Sequence, residues 1–258
     1  MSASSAPRLD GVVAIITGAA GGIGRATAEI FYRHGGRTVL VDVDEPGVTA
    51  LASELGDRAS AYVADLGDPA RAAEVVAHAE SVAGAVDVLV NNAGLSSKTP
   101  FLDVEEEEWD RLFAVNVDAA VQLARRVGTS MAERRSGCIL NVSSISGRGG
   151  GASQSVYGIT KGALLGLTTE MAADLAPFSV RVNAVLPGVI DTPMVRRDVA
   201  LGGDAGAVEL TAWIRQAVPM GRIGLSAEVA AVLAYLASAD GAAISGALVP
   251  VDGGILST

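Results

Sequence analysis

Tyr157 and Lys161 stand four residues apart in the segment SVYGITK, residues 155–161. On a helix that spacing puts a phenol and an ammonium on one face, about one turn apart. Alone, such a pair is more often a packed aromatic beside a solvated amine. A proton-transfer reading needs partners elsewhere in the chain, and two stretches supply them. The first is TGAAGGIG, residues 17–24. Its glycines permit positive φ and let backbone N–H groups approach an anion, and a following helix N-terminus offers further donors and a positive dipole end to a pyrophosphate. The spacing Gly18-x-x-x-Gly22-x-Gly24 departs from the usual G-x-G-x-x-G. The second is LVDVD, whose Asp42 lies 18 residues beyond Gly24. A carboxylate there accepts hydrogen bonds from the ribose hydroxyls of NAD and repels a 2′-phosphate. No basic residue stands between Thr17 and Gly24, so NAD is favoured over NADP.

Residues so far apart need a scaffold to gather them. Short apolar, β-branched runs predict strands at 12–17, 38–42, 60–65, 86–91, 138–143, 179–185 and 247–251. Continuous apolar runs of this length suit strands buried on both faces of a parallel sheet. Helical patterns fall between them at 22–34, 69–83, 105–134, 155–176 and 226–238. Asp103 with Glu106 reads as a capping box for the third of these, and Pro69 and the Ser226/Glu228 pair as similar punctuation. The alternation predicts an α/β fold: one doubly wound parallel sheet of about seven strands, flanked by helices, with right-handed crossovers. Residues 1–10 read as a flexible tail and 11–258 as a single domain. The longest irregular region, about 188–224, follows a strand and is read as a substrate loop at the sheet's carboxyl edge.

Composition narrows the function classes. The 258 residues are 50% hydrophobic and carry a net charge of −10, which argues against nucleic acid or anionic membrane as partners. The one cysteine, Cys138, excludes an internal disulfide framework and fits a reducing compartment. The two histidines, His34 and His78, lie apart from the other features, so no metal site is expected. No run approaches the roughly 18 apolar residues of a membrane helix, and the first residues lack a signal peptide's apolar core. A cytoplasmic location is expected.

With these motifs assembled, the chain resembles the short-chain dehydrogenase/reductase family over nearly its full length. The resemblance rests on an ordered set: TGAAGGIG (17–24), Asp42, AD (64–65), NNAG (91–94), Asn116, NVSS (141–144), YGITK (157–161), PGVIDTP (187–193) and VDGG (251–254). It implies a Rossmann-like single domain in which Tyr157 is the catalytic acid/base and Lys161 its partner, holding the nicotinamide ribose. Ser144 would hydrogen-bond the substrate oxygen; Ser143 is the competing choice, although neighbouring strand residues face opposite ways. Asn116 would anchor a water linking Lys161 to solvent. The resemblance further assigns cofactor binding to Gly18, Gly22, Ile23, Gly24, Asp42, Asn92, Ala93, Gly94, Pro187 and Gly188. Asp65 and Leu66 would meet the adenine edge, and Ile190 and Thr192 the carboxamide.

The implied activity is NAD-dependent hydride transfer between nicotinamide and a secondary alcohol or ketone, in a homotetramer or homodimer. The substrate would be framed by Ser96 and Lys98, by residues 146–154, and by the loop from Met194 to Met220. There Leu201, Leu210, Trp213 and Ile214 form either an apolar lid face or the core of a small helix. Two other functions are carried. One is an NADPH-dependent 3-oxoacyl-(acyl-carrier-protein) reductase, with Arg134 and Arg135 at one expected docking position but Phe178 at the other. The other is a non-catalytic protein that senses nicotinamide redox state.

Overall fold

The computed structural model describes residues 8–149, 153–201 and 212–257. Seven strands form one parallel sheet: β1 (Val13–Thr17), β2 (Arg37–Asp42), β3 (Ala59–Val63), β4 (Val88–Asn91), β5 (Gly137–Val142), β6 (Val180–Pro187) and β9 (Leu248–Val251). Their order is β3-β2-β1-β4-β5-β6-β9. Order reverses between β1 and β4, which opens a crevice at their carboxyl ends. A parallel pair, β7 (Ile190–Asp191) with β8 (Gly224–Leu225), lies outside the main sheet.

Alternation along each strand feeds two cores. Ala14, Ile16, Leu40, Val88, Val90 and Leu140 face helices α1 (Gly22–Arg33), α2 (Glu45–Leu55) and α9 (Ser226–Ala237). Ile15, Val39, Leu89, Ile139 and Val182 face α3 (Arg71–Ala83), α5 (Ala119–Arg134) and α6 (Ser155–Leu175). Each fully buried Leu or Ile is worth about 1.5–3 kcal/mol of transfer free energy. A buried polar relay crosses the second core. Asn91 Nδ2 donates to Asn141 Oδ1 at 3.0 Å, and Asn141 Nδ2 to Thr168 Oγ1 at 2.9 Å. It ties β4 and β5 to α6 in one register.

The structure corrects several sequence expectations. The helical pattern at 105–134 is two helices, α4 (Glu106–Phe113) and α5, joined by a π-helical turn at Ala114–Asp118. Such turns insert one extra residue per turn into an otherwise α-helical ladder. The Asp103/Glu106 capping box does not form: Asp103 closes a short 3₁₀ turn and Glu105 occupies the cap position without a side-chain bond. At α9, Glu228 accepts from the Leu225 N–H at 2.8 Å, so the cap position falls one residue before Ser226. Helix α2 was missed, although Asp44 accepts from Gly47 N–H and Pro46 sits in the first turn, both start signals. Region 188–224 is not a plain loop either, since it carries β7, β8, α7 (Pro193–Leu201) and α8 (212–217). Residues 202–211 and 150–152, within two of the expected substrate-framing segments, lie outside the described residues, as do Leu210 and the side chain of Leu201. No helix among the described residues is long and apolar enough to cross a membrane.

Residues 1–7 of the expected tail also lie outside the described residues, but Leu9 is fully buried against α1 and donates its N–H to His34 O at 2.9 Å. The packed domain therefore includes Leu9. Leu9→Ala is expected to lower the unfolding free energy by about 2–5 kcal/mol, whereas the exposed Arg8→Ala changes it by less than about 0.5 kcal/mol. Chemical denaturation of the two variants checks this, and equal stability would place Leu9 outside the cooperative unit.

Candidate active site

The crevice between β1 and β4 starts at the glycine turn. Gly18 and Gly22 both hold positive φ, 64° and 56°. A Cβ on Gly24 would collide with the Gly18 carbonyl oxygen, and one on Gly18 would sit 2.8 Å from Asn92 Nδ2. Small residues are therefore compulsory where the turn folds onto β4. Thr17 Oγ1 accepts the backbone N–H groups of Asn92 and Ala93, each at 3.0 Å. Asn92 Nδ2 donates to Thr17 O at 2.8 Å and Gly18 O at 3.1 Å. The Asn92 amide thus shapes the turn that would receive a cofactor. No side chain caps the α1 N-terminus at Gly21, which leaves its first-turn donors without a side-chain acceptor.

Asp42 sits at the end of β2, where its carboxylate accepts the Ala20 N–H at 2.8 Å and the Asp44 N–H at 3.0 Å. Two backbone donors fix it beside the glycine turn. Asp65 is exposed; Gly67 N–H and then Arg111 hold its carboxyl below the usual carboxylate range. Leu66 turns its side chain into the core. Ile190 is 3% exposed and does the same, so both can meet a ligand only through backbone. Ile23 is partly buried against the α1-side core, and Gly188 N–H donates to Val251 O at 3.0 Å, holding Pro187–Gly188 to β9. Thr192 packs its methyl against Gly22 and accepts Val195 N–H at the start of α7. These groups form a trough of backbone donors with one fixed carboxylate, a donor set that fits a dinucleotide.

The second cluster gathers on α6 and the β5 end. Lys161 is 4% exposed and donates from Nζ to Val142 O at 2.9 Å. Burial lowers its pKa from 10.5 to about 8. Nζ lies 5.8 Å from the centre of the Tyr157 ring. Burial also raises the Tyr157 phenol, while a hydrogen bond with Ser144 pulls it back and the Asp198 carboxylate adds to the rise. The ammonium of Lys161 is not among the influences that lower the phenol. Burial is the largest influence on both members of the pair.

Ser143 and Ser144 divide as strand alternation requires. Ser143 Oγ donates to Lys161 O at 2.7 Å, while Ser144 faces Tyr157 and accepts the Ser146 N–H at 3.1 Å. A Cβ at Gly147 would lie 2.7 Å from the Lys161 carbonyl carbon, so the turn after Ser144 packs directly on α6. Asn116, in the π turn, accepts Leu95 N–H at 2.7 Å and donates to Leu95 O and Thr160 Oγ1, both at 3.0 Å. Its carboxamide thus braces the 94–95 strand exit and α6. Gly94 fits between: a Cβ there would lie 3.2 Å from Lys161 Nζ and 3.3 Å from Asn116 Oδ1. Thr17, Thr160, Glu108 and Asp198 were not singled out from sequence. Thr160 carried a signal, being one residue before Lys161 on the same helix; Asp198 carried none, because the helix that holds it was read as loop.

The chain also resembles known proteins. The family model described as enoyl-(acyl carrier protein) reductase matches residues 18–256. The 3-oxoacyl-(acyl-carrier-protein) reductase FabG of Thermotoga maritima is 35% identical over 252 residues, which cover 96% of this chain and 99% of the relative. The 2-keto-3-deoxy-L-fuconate dehydrogenase of Xanthomonas campestris is 40% identical over 250 residues, 96% of this chain and 81% of the relative. Among solved structures, a protein assigned as an NAD(P)-dependent gluconate 5-dehydrogenase from Beutenbergia cavernae, with NADP bound at low occupancy, matches with TM-score 0.89. It is 36% identical, over 97% of this chain and 99% of that one.

The buried ammonium makes a pH prediction. Because the folded-state pKa lies near 8, below the unfolded value, charging Lys161 costs stability below pH 8, and that cost is relieved as pH rises from 8 toward 10.5. Relative to Lys161→Met, the cofactor-free wild type is expected to gain about 2 kcal/mol of unfolding free energy between about pH 7.5 and pH 10. Urea denaturation across that window measures it, and a flat difference would show that the ammonium is not desolvated.

Proposed function

The chain belongs to the short-chain dehydrogenase/reductase family, and we propose that it is an oxidoreductase moving a hydride between NAD(H) and a secondary alcohol or ketone. The observation carrying this reading is the convergence of Tyr157, Ser144, Lys161 and Asn116 beside the glycine turn and Asp42 at one sheet edge. Gly18, Gly22, Gly24 and the α1 N-terminus would hold the pyrophosphate, Asp42 the adenosine ribose, and Lys161 the nicotinamide ribose. The bound nicotinamide supplies the hydride donor or acceptor. Tyr157 exchanges its phenolic proton with the substrate oxygen, and Ser144 donates a hydrogen bond to that oxygen as charge develops on it. The raised phenol pKa keeps Tyr157 protonated at neutral pH, which suits the proton donor that ketone reduction requires. Oxidation needs the phenolate, which the Ser144 hydrogen bond favours and the cationic ring of bound NAD⁺ would favour further.

NAD is proposed over NADP because Asp42, held by two backbone donors at the end of β2 beside the glycine turn, would accept ribose hydroxyls and repel a 2′-phosphate. The carrier-protein reductase is the second reading, favoured by the similarity to FabG. Against it, Arg134 is engaged with Asp87 Oδ1 at 3.1 Å and Val86 O at 2.7 Å, and Arg135 with Pro177 O at 2.8 Å. Arg135 stays exposed with donors to spare, but Phe178 occupies the other docking position. A groove between α5 and α6, lined by Val121, Gly128, Leu167, Met171 and Phe178, supports self-association, and a dimer or tetramer is proposed. Acidic charge and the single buried cysteine support a cytoplasmic enzyme.

Initial rates over secondary alcohols, ketones and 3-ketoacyl thioesters test the reading. Tyr157→Phe is expected to cut kcat/KM by at least about a hundredfold while NADH still binds. NADH should be preferred to NADPH by at least about tenfold, and Asp42→Ala should narrow that ratio. NADPH-linked reduction of the thioesters, with NADH inert, would overturn the cofactor assignment and favour the carrier-protein reading.

A further inference from the structure

A second charged pair stands at the mouth of this site. The segment Gly94–Thr99 runs from the strand exit past Lys161 and Asn116, with both backbone polar groups of Leu95 bonded to the Asn116 carboxamide. Farther along, a single carboxylate clamps it. Glu108 on α4 accepts the hydroxyl of Ser97 and, at 2.9 Å from each of its oxygens, that of Thr99. Thr99 N–H also donates to Ser97 Oγ at 3.2 Å. With the side chains of 97 and 99 drawn to α4, the intervening Lys98 projects the other way. Its ammonium reaches α7, lying 3.7 Å from Asp198 Oδ2. Asp198 is only 19% exposed and its charge is felt at the Tyr157 phenol, so the pair borders the reacting centre.

We propose that Lys98 is a specificity-determining residue that binds a carboxylate on the substrate, which makes the substrate a hydroxy acid or the matching keto acid. The inference rests on the dehydrogenase reading for its reaction and adds the class of substrate. Three points support it. The contact with Asp198 exceeds hydrogen-bonding length, and among the described residues Lys98 Nζ donates no hydrogen bond, so its donors remain available. The group that Asp198 places near the ammonium is itself a carboxylate, which a substrate carboxylate would replace. The Glu108 clamp fixes the segment before any ligand arrives, which lowers the ordering cost of recognition. An apolar alcohol, by contrast, would desolvate this pair without offering either charge a hydrogen bond.

The test compares acids with neutral analogues: D-gluconate with D-sorbitol, and 3-hydroxybutyrate with 1,3-butanediol. Wild type is expected to oxidise an acid at least tenfold more efficiently than its neutral analogue. Lys98→Met should raise KM for that acid at least tenfold, and Lys98→Arg should restore most of it. Binding is read separately, by calorimetry of 5-ketogluconate and acetoacetate on NADH-loaded Tyr157→Phe, with and without Lys98→Met. Lys98-dependent binding of a keto acid without wild-type turnover would keep this inference and sink the dehydrogenase reading. Turnover of neutral alcohols indifferent to Lys98→Met would keep that reading and sink this inference. If no acid in the panel is bound or turned over, the inference is overturned as well.

Discussion

Placing an ammonium where water scarcely reaches is the constraint that organises the α6 side of the candidate site. Lys161 is 4% exposed and one carbonyl, Val142 O, meets its Nζ. A buried cation needs acceptors and tight packing, and the neighbouring residues are chosen accordingly. Gly94 and Gly147 lack side chains where any Cβ would press on the lysine or its backbone. Ser143 ties the Lys161 carbonyl to the β5 end, and Asn116 holds both the 94–95 segment and Thr160. Each of these contacts joins a different element to α6, so the position of one charged atom depends on β4, β5, the π turn and the 145–147 turn together.

The nucleotide half obeys a different constraint, close approach of backbones. Thr17 and Asn92 lock the glycine turn to the end of β4 through four hydrogen bonds that use only one hydroxyl and one amide. Only Ala19 and Ala20 put side chains into the tip of the turn, and the groups that shape it come from the ends of β1 and β4. The two halves meet because the strand order reverses between β1 and β4, so the turn after β1 and the chain after β4 line the same crevice.

Periodicity and spacing made the sheet legible: each of the seven expected strands lies within two residues of an observed one, because apolar runs buried on both faces leave little ambiguity. The clustering of Tyr157, Lys161, Ser144 and Asn116 was also legible, through an ordered set of short motifs. What sequence did not reveal depended on tertiary context. Leu9 reads as tail by its polar neighbours, yet it plugs the end of the core beneath α1. The π turn leaves no signature in a pattern that suits one long helix. The Glu108 clamp joins residues nine and eleven apart through side chains, and a run of four glutamates gives no sign which of them turns inward. The burial that raises the Tyr157 phenol is likewise a tertiary property, which the spacing of Tyr157 and Lys161 does not show.

That π turn has a consequence for how the long α4–α5 segment serves two masters. An α-helix advances about 100° per residue, so a one-residue insertion rotates everything beyond it by that angle. Glu108, before the insertion, faces the 97–99 segment, while Leu123, Val127 and Met131, beyond it, face the sheet. The turn acts as a phase shifter between two faces that an unbroken helix would lock together. Its own Asn116 occupies the joint, where the ladder is already interrupted and a carboxamide can turn to the site without disturbing the packing of either half.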